Sequence, residues 1–248
     1  MYFDTHAHLD DGRFSEDREA VIQEIFDSGI SLVVNVGADM EGSRQSVQLA
    51  SQYDGIYAAV GLHPYDAQAM CEADLAEIAK LAENPKVVAI GEIGLDYHYE
   101  EADRVKQKEW FYRQIKLAEQ LSLPYIVHDR DAHADCLEVI RKSGYFRGVM
   151  HCYSGSSEMA KELCSLGFYI SFAGPVTFKN GKKAKEAALS VPQERLLIET
   201  DSPYLSPEPY RGQRNDSSKV RFVAKEIADL KGMTEEEIAK ITLKNGKR

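Results

Sequence analysis

The chain has little cysteine and little tryptophan, four and one in 248 residues, and its 30 lysines and arginines fall short of its 40 aspartates and glutamates. Cys71, Cys136, Cys152 and Cys164 form no CxxC pair, which argues against a zinc knuckle or a disulfide framework and fits reduced, mostly buried thiols. Cys152 follows His151 directly, so on a strand the two should face opposite ways. A formal net charge of −10 disfavours a broad basic surface that grips long nucleic acid without specificity. An anionic substrate then needs a small basic patch or bound cations. No apolar run approaches the roughly 18 to 20 residues that cross a bilayer. The start, Met-Tyr-Phe-Asp, has neither the basic region nor the apolar segment of a signal peptide, so a cytoplasmic location without membrane contact is expected. Also missing are the GxxxxGK[ST] loop, the GxSxG elbow and the GxGxxG turn, which removes support for the enzyme classes built on them.

What is present is an alternation. Eight β-rich runs, Tyr2 to Leu9, Ser31 to Gly37, Ile56 to His63, Val87 to Ile93, Pro124 to His128, Gly148 to His151, Phe168 to Ala173 and Arg195 to Asp201, are separated by stretches with apolar residues at helical spacing. Those stretches are Arg18 to Asp27, Gly42 to Tyr53, Ala73 to Glu83, Asp103 to Leu121, Ala132 to Ser143, Ser157 to Leu166 and Lys182 to Val191, with Val220 to Lys231 closing the series. Several strand runs (SLVVNV, KVVAIG, RLLIET) are almost wholly apolar, the mark of parallel strands buried on both faces. The expected fold is α/β, a (β/α)8 TIM barrel with residues 1–248 as one domain. A doubly wound open sheet is the alternative, but its first turn should carry a nucleotide fingerprint, and here that turn reads HAHLDDGRF. There is no internal repeat, low-complexity tract or domain linker. The one long irregular segment, Ser202 to Ser218, is of a length that in compact domains is usually functional.

Five of the seven histidines, His6, His8, His63, His128 and His151, fall at the C-terminal ends of the expected strands, as do Glu92 and Asp201. In a barrel those ends form the catalytic mouth. His6 and His8, two apart on a strand, point to one face. So many imidazoles and carboxylates around one mouth would be costly to desolvate without a cation, and they are the donors a borderline divalent ion prefers. The assignment is His6, His8, Glu92 and Asp201 to one ion and Glu92, His128 and His151 to a second, with Glu92 bridging. Two ions so placed activate a shared water. His63, in GLHPY, is expected to contact substrate or serve the structure. Asp4, on the face of His6, could fix an imidazole tautomer or sit at the barrel bottom. Asp96, Tyr97, Asp129, Arg130 and Glu199 read as surface or supporting residues.

The segments FDTHAHLD, GLHP, GEIGLDYH, PYIVHDRDA, HCYSG and LLIETDSPYLSPEPYRGQRN, in this order, resemble the TatD family of metal-dependent deoxyribonucleases over nearly the whole chain. The resemblance implies a TIM barrel of the amidohydrolase type, a two-metal site at the positions named, and hydrolysis of DNA phosphodiesters, of the 3′–5′ exonuclease type on single strands or ends. Two departures stand out. Arg214-Asn215-Asp216-Ser217 replaces the family's frequent Arg-Asn-x-Pro, which puts the shape of that loop in question. The end, Asn245-Gly246-Lys247-Arg248, stops short of the family's usual Leu-Phe, so a looser last helix is expected.

The expected reaction is metal-dependent hydrolysis of a DNA phosphodiester, with two divalent ions (Mg²⁺, Mn²⁺ or Zn²⁺) per chain. Asp201 and Glu92 carry the catalytic roles, Asp201 as acceptor of the attacking water's proton. Arg130, Arg211 and Arg214 are candidates for phosphate contacts, Tyr97, Tyr153 and Tyr204 for base stacking, and no obligatory protein partner is evident. Hydrolysis of a small amide, ester or lactone is the competing reading, since barrels vary their chemistry through loops. A non-catalytic metal-binding scaffold is disfavoured, because no ligand is missing.

Overall fold

The structure, a computed structural model, describes residues 1–99 and 103–248. Eight strands lie in one sheet in chain order: β1 Tyr2–Ala7, β2 Ile30–Val36, β3 Ile56–Val60, β4 Val87–Asp96, β5 Tyr125–Arg130, β6 Gly148–Met150, β7 Tyr169–Phe172 and β8 Leu196–Ile198. They form the nearly closed parallel barrel that the alternation implies. The helices are α1 Arg18–Asp27, α2 Met40–Gln52, α3 Glu72–Leu81, α4 Arg104–Leu121, α5 His133–Ser143, α6 Ser157–Leu166, α7 Lys182–Ser190, α8 Val220–Lys231 and α9 Glu235–Gly246. Eight follow the eight strands, and α9 is an addition the apolar spacing did not announce. The strands differ from expectation at the mouth. β3, β6 and β8 stop at Val60, Met150 and Ile198, so His63, His151 and Asp201 sit in the loops beyond, whereas β4 runs on to Asp96 and holds Glu92 within it.

The chain divides into two compact units, Met1–Val34 with His151–Arg248, and Asn35–Met150. In the first, β7 and β8 pair as Ile170 with Leu196, Ser171 with Leu197 and Phe172 with Ile198. Beyond Ile198 the chain continues beside β1: the Asp201 N–H donates to the His6 carbonyl at 2.9 Å, and the His8 N–H to that of Ser202 at 2.7 Å. Phe14, Ile22, Ile25, Phe168, Phe172, Val223 and Ile227 are buried in this unit, each such side chain contributing about 1.5–3 kcal/mol through area removed from water. Helix α9 starts with a capping box, Thr234 and Glu237 exchanging hydrogen bonds with each other's backbone. Its far end is tied down rather than loose, because the buried Asn245 amide donates to the carbonyls of Gln193 at 2.7 Å and Leu196 at 2.9 Å.

The second unit is organised around β4 and α4. β4 is buried almost throughout, as a strand covered on both faces must be. Against β5 its register slips between Ile90 and Ile93, a bulge beside Glu92. Helix α4, capped by Asp103, buries Gln107 and Gln114, two turns apart on one face. The Gln114 amide brackets Leu62, accepting from its N–H at 2.9 Å and donating to its carbonyl at 3.0 Å. Gln107 does the same to Asp96, at 2.9 and 3.1 Å.

The thiols are all free. Cys136 and Cys164 are buried, Cys152 is intermediate, and Cys71, contrary to expectation, is exposed. Cys152 is not on a strand: it lies past β6 at φ +41°.

Candidate metal centre

In the second unit, register sets the geometry. Gly94 on β4 pairs with His128 on β5, and Glu92 and Asp96, two residues to either side of Gly94, share its face. The His128 ring therefore lies between two carboxylates, Nδ1 2.7 Å from Glu92 Oε1 and Nε2 3.0 Å from Asp96 Oδ2. Gly94 is needed there: it stands at φ +148°, and a Cβ would lie 2.0 Å from the His128 carbonyl oxygen. Burial alone would raise the Asp96 carboxyl. The His128 ring, the His98 N–H at 2.9 Å and the Tyr65 hydroxyl outweigh it and lower its pKa to about 2. An ionised Asp96 accepting the Nε2–H leaves the Nδ1 lone pair on the side of Glu92.

His63 completes this group, its Nε2 3.9 Å from Glu92 Oε1 and its ring centroid 4.4 Å from that of His128. The Tyr65 N–H donates to His63 Nδ1 at 3.2 Å. In the neutral ring the proton is then on Nε2, so His63 faces the cluster as a donor.

In the first unit, β1 and the segment after β8 bring His6, His8 and Asp201 together. The two Nε2 atoms are 3.1 Å apart and lie 3.7 and 3.4 Å from Asp201 Oδ1. Asp201 stands at φ +57°, a left-handed conformation that aspartate tolerates better than most residues. Burial would raise its carboxyl, but the His8 hydrogen bond and the neighbouring His151 and His6 rings hold it below the usual aspartate value. The His151 ring stacks on His6 with centroids 4.1 Å apart. Behind His151 is Glu199, fully buried, with Oε1 3.3 Å from Nδ1 and accepting the Cys152 N–H at 2.7 Å. Asp4 does not fix a ring. It accepts from the Thr200 N–H at 2.9 Å, the Thr200 hydroxyl at 2.5 Å and the His6 N–H at 3.3 Å, so it clamps backbone. Burial pushes its pKa up to about 7 despite these donors.

These residues fit divalent cations. In each unit three imidazole or carboxylate atoms lie within 4.8 Å of one another, from His6, His151 and Glu199 in the first and from His63, Glu92 and His128 in the second. With Glu199 behind His151 and His63 presenting its Nε2–H, the lone pairs these groups leave available to a cation are those of His6 and His151 in the first and of Glu92 and His128 in the second. Nitrogen and carboxylate oxygen together suit Zn²⁺, Mn²⁺ and, less readily, Mg²⁺. Facing Nε2 atoms beside an ionised carboxylate are the arrangement a cation satisfies in one step.

The expected substrate contacts fare unevenly. Arg130 is exposed, and Arg211 is exposed with its guanidinium 4.2 Å over the Phe178 ring. Arg214 is already engaged, donating to Asp17 at 2.9 and 2.6 Å and to the Arg13 carbonyl at 2.8 Å. Tyr153 is buried against Phe172, its hydroxyl donating to the Ser156 carbonyl, so its ring offers no open face. Tyr97 donates to Asp135 with Arg104 across its ring, and Tyr204 donates to Asp11 with Arg13 across its ring. Asp96 and Glu199 are buried partners of histidine rather than surface residues. The loop after β8 is held by Asn215, whose buried amide donates to the carbonyls of Thr200 and Tyr204. Asp216 caps the short turn at Ser217–Lys219, so Asp-Ser in place of x-Pro still gives an ordered loop.

A parallel β/α barrel that sets buried imidazole–carboxylate clusters beside its strand ends defines a class, the metal-dependent hydrolases. The family model described as TatD related DNase matches residues 3–248, and the chain belongs to that family. It is 49% identical to YabD of Bacillus subtilis (strain 168) over 250 residues, 100% of this chain and 98% of that one. It is 38% identical to YcfH of Escherichia coli (strain K12) over 98% and 92%. Both are described as uncharacterized metal-dependent hydrolases. The crystal structure of YJJV, a TatD homolog from Escherichia coli K12, superposes with a TM-score of 0.93 at 31% identity, covering 98% of this chain and 95% of that one.

Proposed function

We propose that residues 1–248 act as one domain that hydrolyses DNA phosphodiesters, single strands or ends from the 3′ side, with two divalent cations. His6, His8, Glu92 and Asp201 would hold one ion and Glu92, His128 and His151 the other. The observation that carries this reading is the repeated pairing of a histidine with a buried carboxylate, His128 with Asp96 and His151 with Glu199, the outer partners that orient metal-ligating imidazoles. The family's description supports DNA as the substrate class.

The cations supply Lewis acidity and the positive charge that a protein of net charge −10 lacks. Asp201, held ionised, takes the proton of the attacking water. Glu92, 4% exposed and facing the His128 Nδ1 lone pair, would gain its counter-charge from the cation, and so would join metal binding to catalysis. His63 donates from Nε2 to a phosphoryl oxygen, while Arg130 and Arg211 contact phosphates further along the strand. Among the described residues no helix is long and apolar enough to cross a membrane.

The test is turnover of single-stranded DNA beside small amide, ester and lactone substrates, with Mg²⁺, Mn²⁺ or Zn²⁺ and with metal content measured. DNA cleavage that stops on chelation is the expected result. Turnover of the small substrates alone would overturn the nuclease reading in favour of a small-substrate hydrolase.

A further inference from the structure

A row of aromatic rings leads outward from the His128 cluster. The His63 ring centroid is 4.4 Å from that of His128 and 4.5 Å from that of Tyr65, Tyr65 is 5.5 Å from Tyr99, and Tyr99 is 5.0 Å from His98. Each neighbouring pair meets edge to face, so the row presents rings in contact rather than a closed stack. At its outer end Tyr65 is 51% and Tyr99 53% exposed, although rings of this size are usually well covered. Tyr65 is not loosely placed: its hydroxyl donates to the Asp96 carboxylate. A cleft of about 350 Å³ adjoins both rings, and its lining includes Asp66, Gln68, Asp96, Asp103 and Gln107 but no lysine or arginine among the described residues.

Two exposed rings beside acceptors, without cations, suit a flat uncharged ligand that carries N–H donors. They repel a phosphate. We infer that the face of Tyr99 is a stacking platform for one nucleobase, adjacent to the phosphodiester that is cut, with the Tyr65 ring, inclined at 63° to it, against the base's edge. The acidic lining adds a preference for bases with exocyclic amines. Stacking on such a face is worth a factor of about 5 to 150 per base. The inference rests on the proposed nuclease function for its substrate, but the platform is a separate feature of the chain.

The experiment uses the full chain, a single-stranded oligonucleotide, its counterpart with one abasic residue next to the scissile bond, and free 2-aminopurine deoxynucleoside monophosphate as a fluorescent probe. In the unaltered protein the abasic residue should raise KM about 5- to 150-fold with a smaller change in kcat. Tyr99→Ala should raise KM for the complete oligonucleotide by a similar factor and erase the difference between the two substrates, while Tyr99→Phe, which keeps the ring, restores it. Quenching of 2-aminopurine fluorescence should be lost in Tyr99→Ala and kept in Tyr99→Phe. Cleavage with no abasic effect, or with the effect intact in Tyr99→Ala, overturns the platform alone. Quenching that depends on Tyr99 without DNA cleavage overturns the nuclease reading and leaves the base site standing. Neither cleavage nor quenching overturns both.

Discussion

His128 has a carboxylate at each ring nitrogen, and a neutral imidazole can donate to only one of them. With Asp96 held ionised, the proton belongs on Nε2 and the ligating lone pair on Nδ1. His151 has one carboxylate beside it, Glu199 Oε1 3.3 Å from Nδ1. Replacing the carboxylates by amides, Asp96→Asn and Glu199→Gln, keeps the shape and removes the acceptor that selects the tautomer. Each should weaken metal binding or activity about 10- to 100-fold, which titration calorimetry with Mn²⁺ would show. Unchanged affinity in both would mean that these acids serve only the fold. His128→Ala and His151→Ala should abolish turnover while circular dichroism still shows a folded barrel, and wild-type rates in either would contradict a shared two-ion site. At this scale the sequence is legible where type and position coincide: the proposed ligands His6, His8, Glu92, His128, His151 and Asp201 lie within or just past the strands that spacing locates. Asp96 and Glu199 were less legible. An acid two or four residues from a ligand looks the same on a surface as in a core, and only the extension of β4 and the inward turn after β8 show that these two are buried.

Two elements, β4 and α4, hold the second cluster, each through a feature that periodicity does not carry. The contact between β4 and β5 depends on Gly94. Gly94→Ala should push the strands apart at His128, because the added methyl meets backbone rather than a side chain that could swing away. Loss of activity with an unfolding midpoint lowered by several degrees is expected, and a fully active Gly94→Ala protein would show that this approach is dispensable. In α4, Gln107 and Gln114 read as polar positions on an amphipathic helix, yet each is buried and brackets a peptide unit of the mouth. Gln114→Ala leaves the buried N–H and carbonyl of Leu62 unpaired, at a cost of about 1–3 kcal/mol. The loss should exceed that of a surface Gln→Ala control in urea denaturation and should raise KM, since Leu62 precedes His63. The period of 3.6 locates α4 well. What it cannot supply is the partner of an inward-facing amide, which is fixed by tertiary structure.

For the molecule as a whole the governing quantity is a charge of −10, which on the proposed function would face a polyanion. Among the described residues several cations near the expected contacts are already committed, Arg214 to Asp17 and Arg13 and Arg104 to tyrosine rings. On the proposed nuclease reading the net fixed charge of the chain would repel DNA at long range, and bound cations would supply both the attraction for substrate and the Lewis acidity. Cation binding to the folded chain, and not to the unfolded one, also adds stability by mass action: about 2.7 kcal/mol at a hundredfold excess over Kd, or roughly 5–10 °C for a chain of this size. The two effects should appear together in one titration. As Mn²⁺ is added to chelator-treated protein, the melting temperature should rise and the anisotropy of a labelled, cleavage-resistant single strand should report at least about tenfold tighter binding, both reaching half-effect at the same free Mn²⁺ concentration. Raising salt should weaken the residual metal-free binding further if, as proposed, Arg130 and Arg211 contact phosphates. DNA bound equally well in chelator, with a melting temperature indifferent to Mn²⁺, would show that the histidine clusters hold no ion and that substrate capture rests on the protein's own cations.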